Sequence, residues 1–85
     1  MKHPPKPKTK IVHRKLGRER SWGLAEPAID KIQLDSRLKG YRYLLYAIHE
    51  KLHIMFPMWS ETKIHKQASV LARFVWHLKF RKVED

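Results

Sequence analysis

Tyr41-Arg42-Tyr43-Leu44-Leu45-Tyr46-Ala47-Ile48-His49-Glu50-Lys51-Leu52-His53-Ile54-Met55-Phe56 runs without a proline or a glycine, and its apolar spacing decides how the rest of the chain is read. Tyr41, Leu44, Leu45, Ile48, Leu52 and Met55 recur three and four residues apart, which predicts a helix over 41–56 with one apolar face. Pro57 closes it, because the residue before a proline is pushed out of the helical region. Such a helix holds only if other elements cover its apolar face.

Within it stands His49-Glu50-Lys51-Leu52-His53, an H-E-x-x-H sequence. Two histidines four apart project from the same side of a helix, one turn above the other, so both imidazoles can reach one zinc ion. A glutamate directly after the first histidine sits beside the metal without binding it, where it can take a proton from an activated water. At about 100° per residue His49 and His53 fall on the shoulder of the apolar face and Glu50 falls further round. The expected metal position is therefore the rim of the core, open to solvent. Read more plainly, the two histidines are ordinary boundary residues of an amphipathic helix.

Downstream, Met58 and Trp59 cross a bend, Ser60 is a good N-cap, and residues 61–78 carry Ile64, Ala68, Leu71, Ala72 and Val75 at helical spacing. So short a linker predicts two antiparallel helices. The first turns of the second helix then stand level with His53 and offer Glu61 and His65, four apart on one face. A catalytic zinc normally has three protein ligands. Glu61 is the first candidate for the third, because it falls in phase with Ile64, Ala68 and Ala72, and His65 is the alternative. Glu61 would also complement the positive end of the helix dipole in the absence of any metal. Val70, Phe74 and His77 form a second stripe opposite the core face, of the kind that marks a dimer or partner surface.

Upstream the pattern is β-like. Ile11 and Val12 open a strand expected to reach Leu16, Gly17 breaks it, and Arg18–Arg20 form a charged turn. Ser21–Glu26 reads as a second strand with Trp22 and Leu24 on one side of the pleat, Glu26-Pro27-Ala28 as a turn, and Ile29–Asp35 as a third strand with Ile32 and Leu34 alternating against polar neighbours. Residues 35–40 form the loop into the helix. The expected fold is α+β, a small three-stranded antiparallel sheet followed by two antiparallel helices.

The chain has 85 residues, no cysteine and a formal net charge of +11. That length allows one thin core. Without cysteine, disulfides and thiolate zinc sites are excluded, and any zinc must be held by His, Asp or Glu. Residues 1–9, with Pro4, Pro5 and Pro7 among lysines, read as a disordered basic arm, 10–82 as the single domain, and 83–85 as a tail. The positive charge favours polyanions, so nucleic acid or an acidic protein bound through the arm is the rival functional class. No signal peptide and no membrane span is visible, which predicts a soluble cytoplasmic protein.

The blocks Lys15-Leu16-Gly17-Arg18-Glu19, Trp22-Gly23-Leu24-Ala25-Glu26, Leu34-Asp35-Ser36-Arg37-Leu38-Lys39-Gly40, Ile48-His49-Glu50-Lys51-Leu52-His53 and Pro57-Met58-Trp59-Ser60-Glu61, in that order, resemble a family of small zincin-like metallopeptidases encoded by phages and bacteria. The resemblance covers about residues 11–82. It implies a minimal zincin, in which a small sheet, a zinc-binding helix and a second helix suffice. It further implies His49 and His53 as zinc ligands, Glu50 as catalytic base, a peptide or protein substrate and, for a phage-encoded member, the host cytoplasm. The chain departs from better understood zincins in having no Gly-x-x-His after the motif and no acidic residue between Glu61 and Glu84.

Overall fold

A computed structural model describes residues 8–16 and 22–79. The expected turn at Arg18–Arg20, the break at Gly17, the strand start at Ser21, residues 1–7 of the arm and the tail at 83–85 lie outside the described residues. Three strands, β1 (Lys10–Arg14), β2 (Gly23–Glu26) and β3 (Lys31–Asp35), precede two helices, α1 (Gly40–Met55) and α2 (Glu61–His77). The fold is α+β. A single 3-10 turn, Pro27–Ile29, joins β2 to β3, so Glu26 ends β2 rather than opening the turn, and Ile29, expected to open the third strand, is in the turn and β3 starts at Lys31. Thr9, assigned from sequence to the arm, is buried: its Oγ1 donates to Asp30 Oδ1 at 2.7 Å and accepts from Lys51 Nζ, which ties the start of β1 to α1.

The sheet departs from the expectation in one respect that matters. Its order is β1-β3-β2, with β2 antiparallel to β3 but β1 parallel to it, from Lys10 opposite Lys31 to Arg14 opposite Asp35. The sheet is mixed rather than antiparallel. Strand periodicity reports which face is buried and is silent on which neighbour a strand pairs with. β3 is central and the most buried of the three, with Ile32 and Leu34 almost wholly buried. β2 is consequently left as an edge.

α1 lies between the sheet and α2, so it has two buried faces instead of the single one expected. Tyr43, Tyr46, Ala47 and Ile54 pack on Ile32, Leu34 and Leu38 on the sheet side. Leu45, Ile48 and Leu52 pack on Ile64 and Ala68 of α2. Met55 and Leu71, both expected in the core, are instead half exposed, and the inner face of α2 is Ile64, Ala68 and Ala72. Both alanines are wholly buried, and so is Ile64, the largest side chain of the three. Removing its side chain as far as Cβ should cost roughly 2–5 kcal/mol.

Both ends of the helix pair are fixed locally. Gly40 enters α1 at φ 58°, a left-handed conformation that glycine adopts without cost. Phe56 and Trp59 stack at 4.0 Å across the bend, and Ser60 Oγ accepts the Lys63 N–H at 3.1 Å as the N-cap of α2. This bend sets the height of Glu61 against α1.

Candidate metal centre

The bend and the antiparallel return bring Glu61, the first residue of α2, to the two histidines of α1. Glu61 Oε1 lies 2.7 Å from His49 Nε2, and Oε2 lies 2.9 Å from His53 Nε2. One ligand atom from each of the three residues falls within 4.8 Å of the others. Ligands at about 2.0–2.2 Å from a tetrahedral zinc are roughly 3.3 Å apart. The trio needs side-chain adjustments of about an ångström to close on an ion, and a His₂Glu set is chemically suited to zinc.

Glu61 is not inward-facing as its phase suggests. It occupies the end of α2, where the buried stripe of Ile64, Ala68 and Ala72 runs out, and its side chain is 70% exposed while the imidazoles are 12% and 25% exposed. Its carboxylate reaches sideways over them. His65, the alternative third ligand, lies one turn further on with its ring 6.2 Å from that of His49. It lines the same cleft without joining the trio.

Glu50 is the larger departure from the expectation. Its helical phase places it away from the face defined by Leu45, Ile48 and Leu52, yet it is 7% exposed, because that side of α1 is covered by the sheet. An added Cβ at Gly23 on β2 would lie 2.8 Å from Glu50 Cγ and 2.9 Å from Oε2. The strand thus leaves room for the carboxylate only because residue 23 has no side chain. Burial, and secondarily the negative charge of Glu61, push the Glu50 carboxyl up to about 7. Sequence reasoning missed Gly23, although a lone glycine inside a short strand is the usual sign of a close approach.

His49, Glu50, His53, Glu61 and His65 open on a cleft of about 560 Å³. Trp22, Gly23, Leu24 and Ala25 line it from β2 and the bend before it, Leu45 and Tyr46 from α1, and Pro57 from the bend after α1. β2, at the edge of the sheet among the described residues, therefore borders the candidate centre. No family model, no curated protein and no solved structure matches the chain. Among the described residues, no helix is long and apolar enough to cross a membrane.

Proposed function

We propose that the protein is a zinc-dependent metallopeptidase of minimal zincin type. The observation that carries this reading is the convergence of His49, His53 and Glu61 on one point, beside a buried Glu50 in the wall of a cleft. His49, His53 and Glu61 would hold zinc, which when bound supplies a Lewis acid that activates water near neutral pH and polarises the scissile carbonyl. Glu50 Oε accepts a proton from the attacking water and returns it to the leaving amine nitrogen. In the metal-free protein burial raises that carboxyl to about 7, and bound zinc would lower it towards the ionised form that a general base needs. Leu24 and Ala25 of β2 line the cleft, and a substrate bound there as an added strand would gain main-chain hydrogen bonds whose affinity is independent of sequence.

The test is the zinc content and zinc affinity of the purified protein against His49→Ala and Glu61→Gln. Wild type should bind one equivalent, His49→Ala should lose it, and Glu61→Gln should weaken it by about tenfold or more. Equal zinc binding by wild type and His49→Ala would remove the metal reading and the enzyme reading with it.

A further inference from the structure

Arg42 stands on α1 one turn before Tyr46 and two turns before His49, so Arg42, Tyr46, His49 and His53 form one stripe along the helix. The last three line the cleft, and Trp22 lines it from the bend that precedes β2. The Trp22 ring carries two guanidinium groups, that of Arg42 at 4.5 Å from its centroid and that of Arg37 at 5.0 Å. The two cations are not equivalent. Arg37 is neutralised by the buried Asp35 through bonds of 2.9 Å and 2.8 Å. Arg42 is exposed, and among the described residues its recorded contact is the face of Trp22. A guanidinium stacked on an indole is held in orientation with its donor edge open, the arrangement that recognises a carboxylate through two parallel hydrogen bonds.

The spacing along α1 gives a scale for where that carboxylate falls. Seven helical residues separate Arg42 from His49, an axial distance of about 10 Å. An extended peptide beside β2 advances about 3.3 Å per residue. For a peptide laid along α1 with one bond at His49 and His53, the residue about three positions away comes level with residue 42. The net charge of +11 favours anionic ligands over cationic ones.

We propose that Arg42, oriented by Trp22, selects peptides that carry a carboxylate about three residues from the cleaved bond. Either an Asp or Glu side chain or a C-terminal carboxylate meets this chemistry. The assignment deepens the peptidase reading and rests on it for the position of the cleaved bond.

The experiment uses the full chain carrying Glu50→Gln, so that peptides are bound and not cut, with and without zinc. Affinities are measured by fluorescence anisotropy for labelled hexapeptides in matched pairs: an internal Glu against Gln, and a free C-terminus against its amide. The expected result is about a tenfold preference for the carboxylate member of at least one pair, and the pair showing it identifies the source. Adding Arg42→Gln should bring the ratio to about one, and Arg42→Glu should turn the preference towards a lysine-bearing peptide. An unchanged preference in both variants overturns the assignment, as does Arg42-dependent binding of a single-stranded oligonucleotide that outcompetes every peptide. A zinc titration of the same samples separates the two readings. Zinc bound with no carboxylate preference removes Arg42 alone, whereas the preference without zinc binding keeps Arg42 as a carboxylate-binding residue and removes both the peptidase and the spacing from a cleaved bond.

Discussion

Asp35 and Glu50 are both carboxylates almost without exposure, and their surroundings are opposite. Asp35, at the end of β3, accepts four hydrogen bonds: from the Leu16 N–H, the Arg37 N–H, and Arg37 Nε and Nη2. The Arg37 guanidinium outweighs the cost of burial and holds the carboxyl well below the usual range. It is a fixed anion that clamps the end of β1 and the turn before α1. Glu50 lies against Gly23 in a setting where burial dominates, and its carboxyl is pushed the other way, to about 7. A buried acid surrounded by donors serves the fold, and one desolvated beside a cleft is poised to exchange a proton.

The sharpest way to break this comparison is to neutralise each carboxylate in turn. Glu50→Gln should lower peptide hydrolysis by about 10²–10⁴-fold with zinc binding retained, measured as turnover of the zinc-loaded protein. Undiminished turnover would mean that Glu50 is merely a buried acid. Asp35→Asn should do the converse, because its amide NH₂ would face the donors of Arg37 and Leu16. We expect the thermal midpoint to fall by about 10 °C in circular dichroism melts.

Gly23→Ala sharpens the contrast at intermediate size. The new methyl would displace the Glu50 carboxylate, the movable end of a flexible side chain, from its place against β2. Turnover should fall by roughly tenfold with little change in thermal midpoint. A large loss of stability with unaltered turnover per folded molecule would instead make the glycine a packing residue.

The comparison is tested last by the pH dependence of the metal-free protein, where the two acids act with opposite sign. Asp35 has a folded pKa below its unfolded value of about 3.9, so its contribution is complete above that pH and is lost on acidification through the folded value. Glu50 has a folded pKa raised from 4.5 to about 7, so its neutral form is the one that suits the fold. Its contribution is fully present below 4.5, declines as pH rises to about 7, and is constant above. Glu50→Gln should therefore gain on wild type across that window, by up to about 3 kcal/mol, read from denaturant midpoints at a series of pH values. Parallel curves for wild type and Glu50→Gln would show that burial does not perturb Glu50.

Much of this was legible in the sequence. The apolar spacing of residues 41–56, Pro57, and the serine at position 60 determine two helices and the bend between them. The run of alternating residues around Ile32 and Leu34 determines a strand. The four-residue spacing of His49 and His53 determines that they share a helix face, and the short bend brings Glu61 level with them. These are local properties, set by backbone sterics and by side-chain periodicity within one element.

What only the tertiary structure decided is how those elements face one another. Helical phase placed Glu50 off the apolar face, but phase is measured against one buried face, and α1 has two. Strand alternation could not tell that β1 would pair with β3 and leave β2 as the edge beside the cleft. Nor could it tell that Gly23 would meet Glu50. Burial and the protonation preference that follows from it belong to the whole set of neighbours around a group, and that set is fixed by packing between distant segments. The residue types of the candidate centre are written in the chain, and the desolvation that poises Glu50 exists only once the sheet closes over the helix.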